Sequence, residues 1–269
     1  CMLPYYKSGE RHTHYVITTW NVRGLAASHK RYQMLAYLKR HNTQIAFLQE
    51  THLVREGLTS LRTSWAGQIY GTYVSTYAKG VLIWIAREVP YVVTNSIIDP
   101  RGRFVILKGQ LVGSPLTLAA VYAPNSGHSG FFETLSTGLL RDPNNPTIWG
   151  GDFNCVPDLA LDRSSPPIRG ATCWNATLSL QAWLSHTKML DIWRIQHPQT
   201  REYSYYSPVH RLHTRLDLIT CDSTLVPRIL DIEYLASTQS DHRPLKARLL
   251  WGRDRTTIPS WRLRTEALK

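Results

Sequence analysis

A chain of 269 residues, 43% of them hydrophobic, can bury a large core in one domain or at most two. No apolar run reaches bilayer-spanning length and the start shows no signal-peptide pattern. The formal net charge of +12 and pI near 9.7 point to a polyanionic partner, either nucleic acid or an acidic membrane surface. The first residue is Cys1, not Met, which suggests a fragment of a longer polypeptide or a processed start. Cys1, Cys155, Cys173 and Cys221 lie far apart with no CxxC pair, so they suit neither a zinc site nor a disulfide framework, and a reducing compartment is expected. Cys155 and Cys221 adjoin apolar stretches and read as buried, inert thiols.

Residues 1–13 are polar and irregular and are expected to be a flexible arm, ahead of a domain over residues 14–251. His14 to Val22 reads as a strand apolar on both faces, hence a central one. Ser28 to His41 reads as a helix whose inner face holds Tyr32, Met34, Leu35 and Leu38. Strands follow at Gln44–Gln49, Gln68–Val74, Gly80–Ala86, Phe104–Leu111 and Leu116–Tyr122, separated by Gly, Pro and Asn turns. A helix over Phe131–Leu140 precedes Pro146-Thr147-Ile148-Trp149, the end of a buried strand. Gly150-Gly151 then lets the backbone turn under close neighbours. A second helix spans Trp174–Met189, with Leu180, Trp183 and Leu184 on one face. Further strands are expected at Ser204–Ser207, Leu216–Thr220, Ile229–Tyr234 and Leu245–Leu250, and the basic tail from Gly252 to Lys269 reads as a linker. Strands with inserted helices argue for two packed sheets covered by helices.

Polar residues collect at or just past the carboxyl ends of these strands: Asn21, Glu50, Tyr122, Asn125, Asp152 and Asn154. Asp217 sits inside an apolar run, where a charge needs a partner, and Asp241-His242 precedes another strand. Asp152 and Asn154 stand two apart, so on an extended chain both side chains leave one face and together can hold a water; the alternative is an Asx-rich turn. If the strands converge, Glu50 and Asp241 are hard oxygen ligands suited to Mg²⁺. His242 paired with Asp217 would stay protonated and stabilise a pentacoordinate phosphate. Asp152 could orient or deprotonate a water held by Asn154, with Tyr122 and Asn21 as neutral donors to phosphate oxygens.

The segments Thr19-Trp20-Asn21-Val22-Arg23-Gly24-Leu25, Leu48-Gln49-Glu50-Thr51-His52, Val121-Tyr122-Ala123-Pro124-Asn125, Gly151-Asp152-Phe153-Asn154 and Ser240-Asp241-His242-Arg243-Pro244 resemble the exonuclease–endonuclease–phosphatase superfamily. Within it the chain resembles the apurinic-type endonuclease domain at the amino terminus of LINE (non-LTR) retrotransposon polyproteins. Leu161-Asp162-Arg163-Ser164, Asp191-Ile192-Trp193-Arg194 with His197-Pro198, and Glu202-Tyr203-Ser204-Tyr205-Tyr206-Ser207 match as well. The tail Ser260-Trp261-Arg262-Leu263 resembles the segment leading toward a reverse transcriptase. The resemblance implies a four-layer α/β sandwich of two mixed sheets flanked by helices (DNase-I-like). It also implies nicking of double-stranded DNA with Mg²⁺, for which Mn²⁺ could substitute, and no small-molecule cofactor. The nick would leave a 3′-hydroxyl that primes reverse transcription by the polyprotein's own reverse transcriptase region. The protein would be made in the cytoplasm and act in the nucleus. Family roles fall on Asn21, Glu50, Tyr122, Asp152, Asn154, Asp217, Asp241 and His242. Many abasic-site repair members carry Asp where this chain has Arg23, which removes a possible metal ligand and argues against a repair enzyme.

Arg201 to Arg215 alternates rings and cations and reads as a hairpin beside the site; Ser204, Tyr206, Arg211 and Arg215 are its candidate DNA contacts. Arg163 and Asn125 are further candidates for contacts to the DNA backbone near the cut. Two alternatives stay open. One is another superfamily phosphodiesterase or phosphatase, although inositol phosphatases carry Trp-Cys-Asp-Arg where this chain has Thr214-Arg215-Leu216-Asp217. The other is a non-catalytic DNA-binding module, which predicts a missing acid where none is missing.

Overall fold

Strands apolar on both faces need cover on both sides, and the chain supplies it by stacking two sheets and laying helices outside them. The computed structural model describes residues 13–54, 57, 59, 61, 67–72, 79–138, 145–167 and 172–252. The amino-terminal arm up to residue 12, positions 73–74 and 139–140 of two expected elements, and the tail from 253 lie outside the described residues.

One sheet runs from edge to edge as β13 (Ile229–Tyr234), β14 (Leu245–Trp251), β1 (Thr13–Asn21), β2 (Ile45–Gln49), β4 (Val81–Ile85) and β3 (Gln68–Gly71). The other runs as β5 (Tyr91–Ile98), β6 (Phe104–Leu111), β7 (Ser114–Tyr122), β8 (Thr147–Asp152), β12 (Asp217–Asp222) and β9 (Met189–Asp191). Each sheet is antiparallel except for one parallel pair, β1 with β2 and β7 with β8. Helix α1 (Ser28–Arg40) packs on the first sheet, its Tyr37 ring 4.9 Å from that of Trp20. Helices α2 (His128–Gly138) and α3 (Thr172–Thr187) cover the second, where Phe132, Trp149 and Trp183 meet with centroids 5.4–5.5 Å apart. The expected four-layer α/β sandwich is therefore the observed fold. The short helix α4 (Ile192–Gln196) follows β9, and β10 (Tyr205–Ser207) with β11 (Leu212–Thr214) form the expected hairpin.

Gly150 and Gly151 do not turn the chain; both lie within β8. A Cβ on Gly150 would stand 2.2 Å from the Phe47 ring of the facing sheet, and one on Gly151 2.0 Å from the Val121 carbonyl oxygen. Gly150 lets the two sheets close on each other, and Gly151 lets β8 lie tightly against β7. Two other expectations change. The buried face of α1 carries Tyr37 with Met34, Leu35 and Leu38, while Tyr32 is 75% exposed. Strand β5 escaped the pattern because it is a sheet edge with a mostly solvent-facing, polar interior and a bulge between Val93 and Asn95.

Candidate active site

The two parallel pairs bring the carboxyl ends of β1, β2, β7 and β8 to one edge of the sandwich. Register does the rest: Tyr122 stands opposite Asp152 on β7 and β8, and Asp152 opposite Asp217 on β8 and β12. Asp217 is thus not inside its strand but the first residue of an antiparallel one, and Asp241-His242 likewise leads into β14. Amino-terminal ends of antiparallel strands reach the same edge as carboxyl ends of their neighbours.

Asn21 ties the two sheets together there. Its Nδ2 donates to Glu50 Oε1 and to Asp152 Oδ2, each at 3.0 Å, and its Oδ1 accepts from the Arg23 N–H at 3.1 Å. Tyr122 is hydrogen-bonded to Glu50, and burial, followed by that carboxylate, pushes its hydroxyl above the usual range. His242 Nδ1 donates to Asp217 Oδ2 at 2.7 Å, while Nε2 lies 3.9 Å from Asp152 Oδ2. Burial alone would lower the imidazole, but the charges of Asp217 and Asp152 outweigh it and hold it up at about 10. Burial raises Asp152 to about 7, with Asp217 adding to the rise and His242 opposing it. The result is an imidazolium beside a carboxyl group whose proton affinity suits proton transfer near neutrality.

Asp152 and Asn154 do not share the face of an extended strand. The chain turns after Asp152, Asn154 adopts φ 49°, and its N–H donates to Asp152 Oδ1 at 2.9 Å. The Asx turn and the catalytic placement coexist: Oδ1 makes the turn and Oδ2 faces Asn21 and His242. Asn154 Nδ2 donates to the Ala123 carbonyl at 2.7 Å, which fixes the amide. Arg23, Glu50, His52 and Asn154 all have left-handed φ between 46° and 51°. Such conformations cost roughly 1–3 kcal/mol each and gather where geometry is over-determined, as here.

Glu50 and Asp241 differ in what they offer a cation. Glu50 is 23% exposed at its side chain and keeps carboxylate lone pairs beyond its bonds to Asn21 and Tyr122. The Asp241 carboxylate is ion-paired to Arg23 Nη1 at 3.1 Å. Hard oxygen donors of this kind fit Mg²⁺, which takes one or two carboxylates and retains waters. Asp152, Asp217 and His242 also offer atoms within 4.8 Å of one another. The hydrogen bond between His242 and Asp217, with Asp152 beside the other ring nitrogen, also suits the three to proton handling.

The hairpin lies against this group. Tyr205 bridges to His242 through the backbone, and their rings sit 4.6 Å apart. Tyr206 is 41% exposed and stacks near His213 at 4.6 Å; Arg211 at the turn is exposed, as is Asn125, while Arg163 is half-buried. Two expected DNA contacts are corrected. Ser204 is 1% exposed, and its Oγ accepts from Leu216 N–H at 3.0 Å and Asp217 N–H at 3.1 Å, so it positions Asp217. Arg215 is fully buried: Nε and Nη2 donate to the two oxygens of Asp162 at 2.7 and 2.9 Å, and Nη2 also to Asp191 at 2.6 Å. Arg194 completes the cluster by donating to Asp162 Oδ1 at 2.5 Å. Asp162, Arg215 and the Asp191–Arg194 helix cap come from three distant segments, so nothing local in the sequence announced their pairing. Arg103 was also missed; its guanidinium lies 5.2 Å from the centroid of the Tyr122 ring. A cavity of about 760 Å³ beside His14, Gln44 and Lys246 lies toward the amino end of β1 and contains none of these groups.

Known proteins share the sequence pattern and the fold of this chain. The profile of the Endonuclease/Exonuclease/phosphatase family matches residues 18–242. The chain is 29% identical over 239 residues to the Transposon TX1 uncharacterized 149 kDa protein of Xenopus laevis, covering 87% of this chain but only 18% of that protein. It is 26% identical over 254 residues to an exodeoxyribonuclease of Bacillus subtilis, covering 86% of this chain and 97% of that one. The crystal structure of the AP endonuclease LMAP from Leishmania major superposes with a TM-score of 0.74 at 19% identity, over 89% of this chain and 88% of that one.

Proposed function

The chain belongs to the Endonuclease/Exonuclease/phosphatase family, and from that premise we propose that it is a divalent-metal-dependent endonuclease that nicks duplex DNA by phosphodiester hydrolysis. The observation that carries the proposal is the Asp217–His242–Asp152 group, a buried imidazolium flanked by two carboxyl groups at the mouth of a basic protein. Asp152 Oδ2, anchored by Asn21, accepts the proton of the attacking water; Asn154 helps to hold that water. The His242 imidazolium, fixed by Asp217, neutralises charge that develops on the non-bridging phosphate oxygens. Asn21, both of whose amide hydrogens go to Glu50 and Asp152, and Tyr122, bonded to Glu50, hold those carboxylates in place beside the phosphate. Glu50, with Asp241 where its carboxylate is free, would hold Mg²⁺ or Mn²⁺, which supplies Lewis-acid stabilisation of the phosphate and the leaving oxygen.

A polyanionic substrate is favoured by the net charge of +12 together with the exposed Tyr206 and Arg211 on a hairpin that touches His242, and similarity to an exodeoxyribonuclease supports DNA as that substrate. Similarity to part of a transposon protein supports a domain of a longer polyprotein; the resemblance to LINE polyproteins adds to the proposal action on nuclear DNA and a nick that primes reverse transcription. Among the described residues no helix is long and apolar enough to cross a membrane.

End chemistry tests the proposal. Nicks made with Mg²⁺ in a defined duplex should be extended by a DNA polymerase without prior phosphatase treatment, and chelator should abolish them. Products that need phosphatase before extension would overturn the priming role.

A further inference from the structure

Arg23 takes no part in the chemistry above, yet it stands at the rim of the site with an unusual combination of a fixed root and a free head. Its N–H is held by Asn21 Oδ1, and the next two N–H groups donate to the Glu50 and Thr51 carbonyls at 2.7 and 2.8 Å. Arg23 itself is in the left-handed region at φ 46° and Gly24 at φ 89°, so the turn that aims the side chain is stitched down along its length. Beyond this root the side chain is 65% exposed, and its head is engaged by Asp241 Oδ2 at 3.1 Å. Exposed ion pairs of this kind contribute only about 0–1 kcal/mol. The bond is easily exchanged.

We propose that Arg23 exchanges Asp241 for a DNA phosphate, so that substrate binding releases the Asp241 carboxylate to complete the cation site with Glu50. Without DNA, the guanidinium neutralises one of the two oxygen ligands and opposes an incoming cation. A phosphodiester arriving at the mouth offers the guanidinium a bidentate anion and draws it away. Arg23 is thus a positioning residue that couples metal binding to substrate binding. The proposal rests on the metal-dependent nuclease reading, but both of its consequences are binding equilibria that need no turnover.

Mn²⁺ alone is the probe for the first consequence, followed by the loss of the free-ion paramagnetic resonance signal in DNA-free protein. Removing a unit charge near the ligand by Arg23→Gln should tighten Mn²⁺ about fivefold to tenfold. The gain should vanish in Arg23→Gln/Asp241→Asn, because the released ligand is gone. The second consequence is read with a short duplex in chelator: Arg23→Gln should flatten the log–log salt dependence of DNA affinity by about one unit, and Arg23→Lys should restore it. Unchanged Mn²⁺ affinity in Arg23→Gln, a gain that persists without Asp241, or an unchanged salt slope would each overturn the exchange. Failure of the wild-type protein to nick DNA would instead fall on the proposed function, since these titrations involve no cleavage.

Discussion

Two titrating groups decide what the site can do at a given pH. Proton acceptance by Asp152 needs its unprotonated form, which grows as pH rises through about 7. Charge stabilisation by His242 needs the imidazolium, which is lost as pH rises through about 10. The nicking rate should therefore be bell-shaped with limbs near those values. Asp217→Asn removes the largest influence raising the imidazole, so burial wins and the alkaline limb should move to lower pH, visible in single-turnover rates. An alkaline limb that stays in place would show that Asp217 does not set the charge of His242. The same shift affects stability: a histidine raised in the folded state contributes stability fully below its ordinary value of 6.5, and that contribution is lost as pH rises through about 10.

Most of these groups were legible because each ends or begins an apolar strand; what periodicity could not show was how the strands are registered. Asp152 opposite both Tyr122 and Asp217 is a fact of sheet pairing, written across residues 122, 152 and 217. The hairpin illustrates the limit from the other side. Its alternating rings and cations suggested a DNA-facing surface, yet Ser204 and Arg215 at its two ends turn inward to Asp217, Asp162 and Asp191. An arginine in the sequence looks the same whether it meets solvent or a buried carboxylate pair. Arg215→Met should accordingly destabilise the protein by about 3–5 kcal/mol, because Asp162 and Asp191 would lose their main partner, and urea unfolding would measure it. Arg211→Ala at the exposed turn should do the reverse, leaving stability within about 0.5 kcal/mol. It should also lower DNA affinity and the salt slope by about one unit. A salt slope altered by the Arg215 variant and not by the Arg211 variant would invert this assignment.

At the scale of the molecule, two six-stranded sheets present loops from both layers at one edge, and Asn21 links them by bonding Glu50 of one and Asp152 of the other. The fold class was accessible from the order of strands and helices. The edge strand β5 and the buried charge cluster were not, since exposure and long-range pairing depend on neighbours far away in the chain. Hydrolysis of DNA at this edge is the proposal on which the other predictions depend. Its most direct test is nicking of supercoiled plasmid in Mg²⁺ by parallel preparations of wild type, Asp152→Ala and His242→Ala, each with a chelator control. Conversion to open circles by wild type alone, stopped by chelator, is the predicted result. Equal conversion by the variants, or no conversion by folded wild type, would contradict it.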